Sequence, residues 1–252
     1  MSFASMFDTE SPSVFVVLAE PSPEQEPDFH DWYDKIHGPD ALDNGSFRAL
    51  HRYRAAGPGW TQARYLAVWQ GRYLSEPEAW AYIRPRAKAL RAAGRVGEVA
   101  SVVWALMMLA VPVSGQDSER PVLEAPARSL TTVQNDWRRP DPATSATDWW
   151  KTAGLDEAPS HGRVQLYTSD ADGGGGGYHL ALIEEAVTAT EAAGAWRGIG
   201  AAGMSPTPPY RTIFAEAGEE PERADQRGGA GEDAPAMAST WVMHWEHVTS
   251  LT

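Results

Sequence analysis

Apolar residues along this chain follow two rhythms: a period of two in short β-branched runs and a period near 3.6 in longer segments. Residues 13–19, Ser-Val-Phe-Val-Val-Leu-Ala, are short and β-branched, which predicts a strand. Pro21, Pro23 and Pro27 then interrupt the chain. Residues 28–42 place Phe29, Trp32, Tyr33 and Ile36 at helical spacing, with Asp28 as the expected cap and Asn44-Gly45 as the stop. Residues 47–55 alternate and read as a strand, Gly57-Pro58-Gly59 as a turn, and 64–72 as the next strand. A helix over 75–93 opens on Ser75, with Glu78 at the capping-box position, and closes at Gly94. Residues 98–113 form a last strand, so the order is β-α-β-β-α-β.

The second half returns to the same order. Strands are expected over 129–137, 163–169, 178–186 and 240–249, and helices over 146–155 and 188–199. Residues 210–217 read as an extra strand. Asp31-Trp32-Tyr33 opens the first helix, and Asp148-Trp149-Trp150 opens its counterpart. The chain therefore divides into a tail (1–10), a first unit (11–115), a connector (116–126) and a second unit (127–252). Residues 170–177, with five glycines, and 218–236 read as flexible loops. Each unit is expected to lay two helices on one face of a four-stranded antiparallel sheet. The uncovered sheet faces can then pair and close an eight-stranded barrel within one chain.

Composition narrows the class. Lys and Arg total 21 against 34 Asp and Glu, for a net charge of −13. Such a chain repels phosphate backbones, so no nucleic-acid partner is expected. The longest apolar run, 99–113, is too short to span a bilayer and no signal peptide is visible, which predicts a cytoplasmic protein with no membrane partner. There are no cysteines. No His-Glu-x-x-His, calcium-loop, nucleotide-binding glycine or Gly-x-Ser-x-Gly pattern occurs, so no metal and no cofactor is expected. Eleven tryptophans suit core filling, and equally an aromatic pocket for a flat apolar ligand.

The run Phe29-His30-Asp31-Trp32-Tyr33-Asp34-Lys35-Ile36-His37-Gly38-Pro39 resembles EthD-like members of the dimeric α/β-barrel superfamily, in which a Trp-Tyr on the first helix is followed by a His and a Pro. Here these are Trp32, Tyr33, His37 and Pro39. The resemblance is carried by the first half; the position matching His37 in the second half is Gly154. It implies an α+β fold of two tandem ferredoxin-like repeats forming an intrachain barrel, with the chain a monomeric pseudo-dimer or a homodimer. It also implies secondary metabolism of the polyketide or antibiotic type: cofactor-free monooxygenases, dehydratases, isomerases and cyclases of hydrophobic substrates. Some distant barrel relatives bind haem. Fold alone does not choose among these reactions.

Candidate chemistry rests on histidine, which transfers protons near neutral pH. His37 shares part of a helix face with Trp32 and Tyr33. His51 and Tyr53 share one face of a strand with Phe47 and Ala49, while Arg48, Leu50 and Arg52 face the other way, and the two arginines there need carboxylate partners. His37, His51 and Tyr53 are the expected catalytic groups. The expected substrate-binding wall is Trp32, Tyr33, Tyr65, Trp69, Trp104, Tyr167, His179 and Trp245. Tyr65, Ala67 and Trp69 on one strand, and Val102, Trp104, Leu106 and Met108 on another, are expected to face the barrel interior. His244 and His247 lie three apart on a strand and should point to opposite faces. The reading is proton-transfer chemistry (dehydration, isomerisation or cyclisation) on a hydrophobic aromatic or polycyclic molecule. The alternatives are cofactor-free oxygenation of a phenol or anthrone, and a binding protein without catalysis.

Overall fold

Short β-branched runs pair edge to edge here until no edge is left. The computed structural model describes residues 12–56, 63–96, 101–111, 128–134, 145–152, 162–169, 178–195 and 241–251. Eight strands, β1 (Ser13–Glu20), β2 (Ala49–Ala55), β3 (Tyr65–Gly71), β4 (Ser101–Val111), β5 (Ser129–Gln134), β6 (Gly162–Ser169), β7 (Tyr178–Glu185) and β8 (Trp241–Leu251), form one closed barrel. Around the barrel they run β1-β3-β2-β8-β5-β7-β6-β4, and every neighbouring pair is antiparallel. β1–β4 are contiguous in the order β4-β1-β3-β2, and β5–β8 in the order β6-β7-β5-β8. Two seams join these groups: β2 with β8, and β4 with β6. Closure removes the exposed edges that an open sheet must protect.

The helices are α1 (Glu26–Trp32), α2 (Gly38–Asp43), α3 (Glu76–Ala92), α4 (Ala146–Thr152) and α5 (Ala189–Ala195). The helix expected over 28–42 is not one helix. It starts at Glu26, with no side-chain cap from Asp28, and is interrupted by a π-helical turn over Tyr33–His37. The cause is local. Pro39 has no N–H to give to the carbonyl of residue 35. Gly38 N–H instead reaches the Tyr33 carbonyl, five residues back. Asn44-Gly45 ends the segment as expected, with Gly45 at φ +74°. α3 follows its sequence signals closely: Ser75 Oγ accepts from Glu78 N–H, Glu78 accepts in turn from Leu74 N–H, and Gly94 closes at φ +69°. The predicted connector, the strand at 210–217 and the loops at 170–177 and 218–236 lie outside the described residues.

Two kinds of core result. One cluster takes side chains from all eight strands and fills the barrel: Val14, Val16, Leu18, Tyr53, Leu66, Val68, Met108, Leu130, Tyr167, Leu180, Leu182 and Trp245. The others lie between sheet and helices. On β1–β4 that layer holds Phe15, Phe29, Tyr33, Phe47, Leu50, Tyr65, Trp69 and Met107; on β5–β8 it holds Trp149, Trp150, Leu166 and Ile183. This corrects the sequence reading of β3. Tyr65, Ala67 and Trp69 face the helices, and Leu66 and Val68 face the barrel interior. Phe47, which precedes β2, also lies on the helix side. On β4, Leu106 and Met108 pack in the interior as expected, whereas Val102 is exposed. An eight-stranded barrel has room inside for little more than its own side chains, and the bulkier indoles are accommodated in the wider helix–sheet layer. Among the described indoles, Trp245 alone belongs to the interior cluster.

Candidate functional site

The layer between β1–β4 and the helices gathers five of the predicted site residues: Trp32, Tyr33, His37, Tyr65 and Trp69. The π-helical turn explains how. It adds one residue to a helical turn, so Trp32 and His37 come onto one line and stack, with ring centroids 4.3 Å apart and planes 6° from parallel. The Trp69 edge meets His37 at 5.1 Å from β3, and Tyr33 lies 5.3 Å from it. The Trp32 indole N–H donates to the Arg95 carbonyl, and Arg95 grips Asp40 of α2 through two hydrogen bonds of 2.5 and 2.7 Å. The chain after α3 thus fixes the outer side of the stack.

His37 is half-buried and held by rings. Among the described residues neither its imidazole nor the Tyr33 hydroxyl makes a hydrogen bond. Burial depresses the His37 pKa to about 4, so the ring is neutral at pH 7, and burial raises the Tyr33 phenol to about 12. A neutral base and a protonated acid therefore stand with their rings in contact, neither one hydrogen-bonded to a described residue.

Beneath them runs a charged network that the strand pattern had signalled. Arg52, fully buried on the helix side of β2, donates to Asp34 at 2.5 Å and to His30 Nδ1 at 2.9 Å. An arginine only donates, so neutral His30 carries its proton on Nε2 and gives it to the Tyr65 oxygen at 3.2 Å. Tyr65 donates in turn to Glu26. Glu26 also accepts from Arg64, which is paired with Glu20. Tyr65 is committed to this chain. Asp34, Arg52, His30 and Glu26 were not among the predicted site residues, although the need of Arg52 for a carboxylate was readable from the strand.

The other predicted catalytic pair lies inside the barrel. His51 and Tyr53 face inward from β2. His51 Nδ1 bonds Ser250 Oγ at 2.9 Å, and Ser250 also bonds His247 Nε2 at 2.8 Å. Gln70 hydrogen-bonds the His51 ring as well, and burial lowers the His51 pKa to about 4. The register of β2 against β8 slips between Arg52 and Tyr53, so Val248 is extra and His247 and Ser250 share the inner face. His247 and His244 do point opposite ways: His244 meets Thr131 Oγ1 at 3.0 Å on the other side. Tyr53 lies 5.7 Å from the His247 ring, and burial together with the nearby Glu184 carboxylate pushes its phenol well above 10. Tyr167 and Trp245 are interior too, with Trp245 Nε1 donating to Thr132 at 2.9 Å. His179 lies apart from both groups, against Trp149 under the β5–β8 helices. The Trp104 side chain is outside the described residues. Among the described residues no group of histidine and acidic side chains is placed to hold a metal.

Comparison with known proteins assigns no family. No family model matches the sequence, and no curated protein does. Solved structures with a similar course include a candidate chlorite dismutase (12% identity, 94% of each chain covered, TM-score 0.46). An anthrone oxidase-like protein aligns at 11% identity over 95% of this chain and 92% of that one, with TM-score 0.47. An encapsulated DyP-type peroxidase from Mycobacterium smegmatis aligns at 11% identity over 71% and 82%, with TM-score 0.42. At these values the likenesses carry no inference about chemistry.

Proposed function

We propose that this chain is an enzyme of secondary metabolism that acts by proton transfer on a hydrophobic aromatic or polycyclic small molecule. Dehydration, isomerisation and cyclisation are the reactions that fit, with no cofactor required. His37 is the general acid/base and Tyr33 the hydroxyl that binds and protonates a substrate oxygen. One observation carries the reading: the His37 and Tyr33 rings meet edge to face, with centroids 5.3 Å apart, and neither the imidazole nor the hydroxyl makes a hydrogen bond to any described residue. His51 fits the role of direct base less well, because Ser250 and Gln70 already occupy its ring. Trp32, stacked on His37, and Trp69, edge-on to it, supply the apolar, aromatic surroundings that a flat ligand prefers. The EthD-like pattern of Trp32, Tyr33, His37 and Pro39 supports the same substrate class. The matching strand orders of the two halves, and the paired Trp32-Tyr33 and Trp149-Trp150, support a tandem duplication closed within one chain.

The test is turnover of a panel of phenols, anthrones and polyketide-type ketones, followed by mass spectrometry. Loss of water or an isomer of unchanged mass supports the reading. Gain of oxygen with oxygen uptake would replace it with cofactor-free oxygenation, which electron-rich indoles beside the substrate also suit. Tight binding with no chemical change would replace it with sequestration. His37→Gln and Tyr33→Phe should each lower turnover by roughly 10²–10⁴-fold with the far-UV spectrum unchanged. Full turnover in both variants rules this mechanism out.

A further inference from the structure

Tyr33 is bounded on one side by a group that the proton-transfer reading has not yet used. The Arg52 guanidinium carbon lies 4.5 Å from the Tyr33 ring centroid and 5.1 Å from that of Phe29. Its side chain is 2% exposed, against 37% for its carboxylate partner Asp34. A guanidinium stays charged at every accessible pH, and away from water its field acts strongly on nearby charge. Three contacts fix it: Asp34 takes one nitrogen, His30 Nδ1 another, and the two aromatic faces its plane. A flexible lysine could not make all three at once.

We propose that Arg52 is the electrostatic positioning residue of this site, a buried cation locked by Asp34 and His30 against the Tyr33 ring, where it stabilises the negative charge that builds on the Tyr33 oxygen as its proton passes to a substrate oxygen. The O–H bond of Tyr33 breaks, an O–H bond forms on the substrate, and the electron pair stays on the phenolate. The inference rests on the role given to Tyr33 above and adds what makes an otherwise weak acid usable. A preorganised charge held over the ring that takes up the developing charge needs no rearrangement as the reaction proceeds. Burial raises the phenol and Arg52 opposes that rise. The other titratable groups of this corner are His30, Asp34 and His37 directly, and Tyr65, Glu26 and Arg64 through the hydrogen-bonded chain.

The test needs no substrate. A difluorinated tyrosine installed at position 33 of the full chain brings phenol ionisation into an accessible range, read by phenolate absorbance. Arg52→Gln should make this phenol at least tenfold harder to ionise. Asp34→Asn removes the counter-charge and should make it several-fold easier to ionise, an opposite sign that a general loosening of the fold would not produce. Should Arg52→Gln fail to fold, Asp34→Asn decides alone. Ionisation unchanged in every variant that folds, or moved the same way by both, overturns the proposal. Full turnover by both Tyr33→Phe and His37→Gln would instead defeat the proton-transfer reading and leave these ionisation shifts standing.

Discussion

Gly38 occupies a point where no side chain fits. A Cβ there would stand 2.5 Å from Leu251 Cδ1 and 2.7 Å from the Tyr33 carbonyl oxygen. The second contact is with backbone that accepts the π-turn hydrogen bond, so it cannot simply rotate away. Gly38→Ala should therefore destabilise the fold by about 1–3 kcal/mol, measured by urea denaturation, and should disturb the Trp32–His37 stack. An unchanged midpoint would mean that α2 moves freely over β8. Ser75 provides a calibrating case with no link to the site. Its hydroxyl caps the α3 N-terminus through Glu78 N–H at 3.3 Å. Ser75→Ala should cost about 1 kcal/mol, with the His37 and Tyr33 environments unaltered in NMR spectra. The cap could be read from the sequence, whereas the need for glycine at 38 depends on β8, more than two hundred positions away in the chain.

At the scale of elements, most of the strand and helix order was legible because period-two and period-3.6 patterns are separate signals. The wrong assignments have a common cause. Strands in this barrel are covered on both sides, by the interior and by helices, so both faces of β3 are apolar and alternation alone cannot say which face looks inward. Size could have decided it, since Leu66 and Val68 suit a narrow interior and Tyr65 and Trp69 do not. The π-turn was hidden for a similar reason: Pro39 is compatible with a helix start and with an interrupted one. The buried histidines give these elements a testable pH response. Burial lowers the pKa of His37, His51 and His244 to about 4, against 6.5 for the unfolded chain. Between those values the unfolded state binds more protons than the folded one, so stability is full above about 6.5 and falls as pH drops toward 4. The sign is the same for all three imidazoles, so their contributions to that fall add. Urea midpoints recorded from pH 7 to 4 should decline steeply, and His51→Gln should flatten the decline. A midpoint independent of pH over that interval would contradict the burial of these rings.

The molecule as a whole is held shut at two seams. β2 pairs with β8 from Leu50 against Leu251 to Ala55 against Trp245, and β4 pairs with β6 from Leu109 against Thr168 to Val111 against Leu166. The interior cluster spans both: Tyr53 and Met108 from one half pack with Tyr167, Leu182 and Trp245 from the other. The His51–Ser250–His247 bonds also cross from β2 to β8. Separating the halves would expose this apolar face and four strand edges together, a combination that favours aggregation over folding. Fragments 11–115 and 127–252 expressed singly should therefore lack a cooperative thermal transition. Co-expression should restore one and recover both as a pair on size exclusion. A homodimer of fragment 11–115 would fit the same requirement, since a second copy can supply the missing sheet. A monomeric fragment that unfolds cooperatively would not, because its inward-facing side chains would then need no partner.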